Sequence, residues 1–168
     1  MIRQPGTEFH SKDMLIVKGI DMEYQGKMVN VLMVENDPGD QKLIKSGIAN
    51  TEYNVNLHVV SSAEQGLEFL HKSLSDPHNY PRPGLVLLDL NMPGMGGKGF
   101  LKEVKADENF CSIPVVVVTS SDLQSDVDEC YQMHAAGYIQ KNASASEFAQ
   151  ILHKIARYWF PVSAVLNN

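Results

Sequence analysis

Val29-Asn30-Val31-Leu32-Met33-Val34-Glu35-Asn36-Asp37-Pro38-Gly39-Asp40 changes character between Val34 and Glu35. The first part is an aliphatic run, and the second is acidic and amide before a proline. A short apolar run with little polar alternation reads as a strand covered on both faces. Asp37 stands where the free amides of a first helical turn need a cap, Pro38 suits the first helical position, and Asp40 comes three residues after the cap. The same pattern recurs at 55–60, 85–88, 115–118 and 138–140. Spacings of roughly 25–30 residues leave room for one crossover helix each time. Five βα units result, which makes an α/β fold with a doubly wound parallel sheet. Ser62 with Gln65, and Ser144 with Glu147, read as capping boxes. In the last helix Phe148, Ile151, Leu152, Ile155 and Trp159 fall on one stripe that faces a core or a partner, with core the reading for the first four. Three prolines and a glycine in 75–84 exclude a helix there and place a surface loop.

The chain has 168 residues, 43% of them hydrophobic, enough for one domain with a single core. We expect an N-terminal extension over 1–28, in which 14–17 is apolar, a domain over 29–160 and a C-terminal tail over 161–168. Lys and Arg number 14 against 20 Asp and Glu, a formal charge of −6, so no positive field attracts nucleic acid. No apolar run approaches the ~20 residues that span a bilayer. The N-terminus lacks the apolar stretch of ~7–15 residues of a signal peptide, which predicts a cytoplasmic protein without membrane attachment. Cys111 and Cys130 have no CxxC spacing and read as reduced packing residues. The six histidines are scattered without ligand spacing.

In an open parallel sheet the ligand crevice lies beyond the carboxyl ends of the strands. Those ends carry Glu35-Asn36-Asp37, Asp89, Thr119 and Lys141. Carboxylates from two strands suit a hard divalent cation, most naturally Mg2+. A carboxylate oxygen left free would attack phosphorus and form an acyl phosphate. The lysine would neutralise phosphoryl oxygens and the threonine hydroxyl would donate to one of them. Together these residues describe phosphoryl transfer to Asp89.

The stretch from Val31 to Asp40, with Leu87-Leu88-Asp89-Leu90-Asn91-Met92-Pro93, Val117-Val118-Thr119-Ser120-Ser121 and Gly137-Tyr138-Ile139-Gln140-Lys141, resembles the receiver domain of two-component response regulators. The Pro-rich loop, Lys105-Ala106-Asp107 and the Tyr158-Trp159-Phe160 ending are similar to the stand-alone receivers that partner phytochrome kinases. The resemblance implies a flavodoxin-like (βα)5 fold with strand order 2-1-3-4-5. It implies Asp89 as phospho-acceptor, and Glu35, Asn36, Asp89 and the Asn91 main-chain carbonyl around the metal. Thr119 and Lys141 would bind the phosphoryl group, and Tyr138 would turn inward as the switch. A histidine kinase or phosphotransfer protein would be the partner. The apolar Tyr158, Trp159, Phe160 and Val162 add a homodimer to the expectations.

The chain departs from the family pattern at several positions. Asn36 stands where most active receivers have aspartate, which predicts weaker metal binding; Asp37 is either a helix cap or, if the loop rearranges, a substitute ligand. Asn142 comes after Lys141 where the family has a cis-proline, so a trans bond is expected. Gly96-Gly97 replaces a polar residue and glycine, and Gly96 is expected to loosen the third helix. His134-Ala135-Ala136-Gly137 lacks the usual glycine-alanine order. An aspartyl phosphatase would need an acid at 91, where asparagine cannot shuttle a proton. A flavodoxin-type phosphate loop would be repelled by Glu35 and Asp37. The chain is therefore not expected to be an enzyme, and the alternative reading is a phosphorylation-independent receiver-like interaction module.

Overall fold

The computed structural model describes residues 28–141 and 144–166. Five strands, β1 (Met28–Val34), β2 (Asn54–Val60), β3 (Leu85–Leu88), β4 (Val115–Thr119) and β5 (Gly137–Gln140), alternate with five helices. The helices are α1 (Pro38–Ala49), α2 (Ala63–Ser75), α3 (Gly96–Ala106), α4 (Gln124–Gln132) and α5 (Ala145–Leu166). The sheet is parallel throughout, in the order β2-β1-β3-β4-β5, as the flavodoxin-like expectation has it.

The aliphatic runs work because strand side chains alternate between faces. Leu32, Val34, Val86, Leu88, Val115 and Val117 join Phe69, Phe100 and Leu101 in one core. Val31, Met33, Leu85, Leu87, Val116 and Val118 join Ile44, Phe148, Leu152 and Ile155 in the other, beneath α1 and α5. Gly47 lets these two helices meet, since a Cβ there would lie 2.3 Å from Leu152 Cδ1. Helix α4 buries only Cys130, so little apolar surface holds it down. It ends at His134, whose φ of +64° takes the left-handed conformation in place of a glycine. At the sheet's margin β2 pairs with β1 alone, and an Asn56 to Asn30 side-chain bond of 3.0 Å ties the two strands.

The expected caps form: Asp37 accepts the Asp40 amide, and Ser62 accepts that of Gln65. The Ser144 amide and hydroxyl both donate to the Glu147 carboxylate. On α5, Phe148, Leu152 and Ile155 are buried, whereas Ile151 and Trp159 are only half-buried. The Tyr158-Trp159-Phe160 segment divides: Tyr158 is exposed, while Phe160 is buried against Tyr53 with ring centroids 5.6 Å apart. Helix α5 runs past residue 160, through Pro161 to Leu166. A proline accepts helical φ but has no N–H to offer the Arg157 carbonyl; Arg157 itself is exposed, while Pro161 is buried. The expectations for 1–27, the 141–142 bond and the Val162 side chain lie outside the described residues.

Cys111 needs correction, since it is exposed and does not pack. Cys130 is fully buried, and that burial pushes its thiol up to about 11. Iodoacetamide at neutral pH is therefore expected to add one group to the folded chain, at Cys111, and a second only after denaturation. Intact mass checks it, and double labelling of the native protein would contradict this burial.

Candidate phosphoryl-acceptor site

Backbone pairing runs one residue past the strands and fixes the site residues. The Glu35 amide donates to Val60 (3.0 Å), Asp89 to Val34 (3.0 Å) and Lys141 to Thr119 (2.8 Å). Glu35, Asp89 and Lys141 therefore converge at one end of the sheet, joined by an ion-pair cluster. Lys141 Nζ lies 2.5 Å from Glu35 Oε2, 2.8 Å from Asp40 Oδ2 and 3.4 Å from Asp89 Oδ1. Glu35 and Asp89 are 1% and 5% exposed, so both carboxylates are taken from water. The Asp89 Oδ1 atom accepts no hydrogen bond, because the 3.4 Å ammonium is not aligned for one.

Burial raises the Glu35 pKa, opposed by the Lys141 ammonium and the Asp37 amide, and the Asp89 charge adds to the rise. Burial alone would lower the Lys141 pKa, but Asp40, Glu35 and Asp89 outweigh it and lift the group above the usual lysine range. The sign comes from linkage: the lysine's stabilisation is complete below its unfolded pKa and is lost as pH rises through the folded one.

Asp37 is exposed and its carboxylate caps α1, while its amide donates to Glu35 Oε1 at 2.9 Å. It is Asp40 that faces Lys141. Sequence reasoning took Asp40 only as the partner of a cap, although a carboxylate in the first turn after a strand end lies beside the crevice. Gln41 was missed as well; its side-chain amide donates to the Glu35 carbonyl at 2.6 Å and to Ser61 at 3.2 Å. Asn36 is half-buried beside them.

Thr119 is fully buried, and its Oγ1 accepts long bonds of 3.4 Å from the Asn91 side chain and the Ser121 amide. Asn91 also donates to Ser120 Oγ at 3.2 Å, so it bridges the loop after β3 to the end of β4. Tyr138 is half-buried and donates to the Ser121 carbonyl at 3.2 Å. Ser121 in turn donates to Asp126 at 2.5 Å, and Lys98 of α3 pairs with Asp126 at 2.8 Å and with Glu129. Tyr138 is thereby linked through α4 to α3.

Gly96 is the first residue of α3. Gly94 and Gly96 carry φ of +78° and +71° in the turn leading into the helix, and Gly97 lets its first residues press on the strand end. A Cβ at Gly97 would lie 2.1 Å from the Asp89 carbonyl oxygen.

Among the described residues no three His, Cys, Asp or Glu side chains group as a metal cage. The carboxylates gathered at Lys141 Nζ are Glu35, Asp40 and Asp89, and the uncharged Asn36 and Asn91 stand within two residues of Glu35 and Asp89 in sequence. The unsatisfied Asp89 oxygen fits a hard cation that retains several of its own waters. No helix among the described residues is long and apolar enough to cross a membrane.

The profile of the response regulator receiver domain matches residues 31–153. Response regulator Rcp1 of Synechocystis sp. (strain PCC 6803) is 30% identical over 129 residues, 77% of this chain and 87% of that protein. Among solved structures, the phosphorylated cyanobacterial phytochrome response regulator RcpA aligns with a TM-score of 0.73 at 32% identity, covering 79% of this chain and 94% of that one. The Mn2+-bound form of Rcp1 aligns with a TM-score of 0.72 at 29% identity and the same coverage. The 2-1-3-4-5 sheet is thus shared architecture, and the chain belongs to the response regulator receiver domain family of two-component systems.

Proposed function

We propose that this chain is a phospho-accepting response regulator in a two-component phosphorelay, phosphorylated on Asp89 in the cytoplasm and passing its signal on by protein contact. The observation that carries the reading is the Asp89 carboxylate: buried, facing Lys141, with one oxygen unsatisfied. An Asp89 oxygen forms the O–P bond as the P–N bond to a phosphohistidine of a kinase or phosphotransfer protein breaks. The imidazole leaves with the electron pair. Lys141 moves from its carboxylate partners onto the phosphoryl oxygens. Thr119, whose two long contacts use its oxygen as acceptor, has its proton to donate to one of them.

Glu35, Asn36, Asp89 and the Asn91 main-chain carbonyl would hold a divalent cation, Mg2+ being the natural choice for oxygen donors. Such an ion supplies charge neutralisation between the incoming phosphoryl group and the pocket carboxylates. Two relatives support this chemistry, one solved in a phosphorylated form and one with Mn2+ bound. Because Asn36 brings no charge, Asn36→Asp is expected to tighten Mg2+ binding about tenfold. A calorimetric titration checks it, and equal affinities would remove Asn36 as the weakening residue.

Release of Tyr138 from Ser121 as Thr119 moves would alter the face of α4, β5 and α5. There Val127, Tyr131, Tyr138, Ile139 and Ile151 line a cleft of about 730 Å³. This face is where we place the contact with a partner or a second copy of the chain. The test is intact mass after incubation with acetyl phosphate and Mg2+. We expect one phosphoryl gain, reversed by hydroxylamine and mapped by the resulting hydroxamate to the peptide containing Asp89. No gain at any Mg2+ concentration would favour the phosphorylation-independent interaction module.

A further inference from the structure

The turn after Asp89 has little to hold it within its own sequence. Met95 is the N-cap of α3 but makes no side-chain cap, and it stands between Gly94 and Gly96, both with positive φ. Glycines in that region open many competing backbone conformations, so order must be imposed from elsewhere. The turn is pinned locally by the Met92 and Gly97 amides, which donate to the Leu90 carbonyl at 3.0 and 3.2 Å. The Asn91 side chain pins it to β4.

A further anchor comes from a different helix. Glu64, in the first turn of α2, accepts the Met95 amide on Oε1 at 2.8 Å. The fit across the gap is close: a Cβ at Gly94 would lie 2.6 Å from the same oxygen. An ionised acceptor makes the stronger kind of hydrogen bond, and the Met95 amide holds this carboxyl below the usual range.

We propose that Glu64 is a positioning residue for phosphoryl uptake. By holding Met95 it fixes the turn that presents the Asn91 carbonyl, and the Asn91 bridge to Thr119, beside Asp89. The inference rests on the reading of Asp89 as phospho-acceptor and adds a residue that touches neither phosphoryl group nor metal. A mere helix cap would alter stability alone.

The discriminating measurement is the rate of phosphorylation by acetyl phosphate, tracked by intact mass over a series of Mg2+ concentrations, with urea unfolding of each variant alongside. Glu64→Ala is expected to slow uptake roughly three- to tenfold and to raise the Mg2+ concentration at half-maximal rate. Glu64→Gln keeps an acceptor oxygen of the same reach and retains most of the rate. Glu64→Asp keeps the charge but is one methylene short, and behaves like Glu64→Ala. A wild-type rate and Mg2+ dependence in Glu64→Ala, with or without a change in unfolding, would overturn the inference. So would equal slowing in Glu64→Gln and Glu64→Ala. A wild-type protein that takes up no phosphoryl group would overturn the reading of Asp89 itself, and this inference with it.

Discussion

Asp89→Asn is expected to take up no phosphoryl group and, in the same step, to unfold at higher temperature than the wild type. The first effect is complete, since an amide oxygen carries no charge with which to attack phosphorus. The second rests on the ion-pair distances. Lys141 keeps its two closer partners, Glu35 at 2.5 Å and Asp40 at 2.8 Å, and loses only the 3.4 Å contact. Against that loss stands removal of a buried charge with an unsatisfied oxygen, one that also pushes the Glu35 pKa up. A gain of about 1 kcal/mol is typical when a strained functional group is neutralised. A raised Glu35 pKa means that stability falls as pH climbs from the ordinary glutamate value through the raised one. The variant reduces that fall, so its advantage is full at neutral pH and fades below the ordinary glutamate range, where Glu35 is protonated in both folded and unfolded chains. Calorimetry at neutral and acidic pH checks the pattern, and a destabilised variant at neutral pH would show that Asp89 is a structural member of the cluster.

Gly97→Ala has the largest expected effect on the fold. Alanine gains about 1 kcal/mol of helix propensity, but its Cβ would lie 2.1 Å from the Asp89 carbonyl oxygen and 2.6 Å from Leu90 Cα. Both are backbone atoms at the end of a central strand, so α3 must move away from the sheet. Overpacking of that kind costs roughly 3 kcal/mol, leaving a net loss of about 2 kcal/mol. The control is Gly99→Ala on the same helix, where the Cβ meets Met95 Cγ at 2.4 Å. Met95 is a 41% exposed, flexible side chain that can turn aside. We expect Gly99→Ala to be neutral or stabilising in urea unfolding while Gly97→Ala is clearly destabilised. Equal behaviour would deny the close approach at Gly97.

All five strands were legible, most plainly β1, β3 and β4, which are apolar runs that stop abruptly at a polar residue. The same abrupt stop marked Glu35, Asp89, Thr119 and Lys141, since in this architecture a strand end and a site residue are neighbours in sequence. Strand order was not in the periodicity and came with the family resemblance. Asp40 and Glu64 escaped for one shared reason. A carboxylate in a first helical turn is ordinary capping chemistry, and only the tertiary structure shows that one reaches Lys141 and the other Met95. The positive φ of Gly96 at the helix's first residue was not legible, because propensity treats every helical glycine alike.

The margin formed by β2 bears on how the protein behaves when concentrated. Along its outer side, among the described residues, the strand's backbone donors and acceptors face no neighbouring strand. Asn54-Val55-Asn56-Leu57-His58-Val59-Val60 contains no lysine, arginine, aspartate or glutamate, the residues that ordinarily guard such a rim against annealing to another chain. Its one titratable side chain, His58, stacks on Phe69 and is held below the usual histidine range by burial. Near neutral pH the rim therefore carries no charge of its own, and colloidal stability rests on the chain's overall negative charge. Salt that screens that charge weakens the main barrier to unwanted sheet extension.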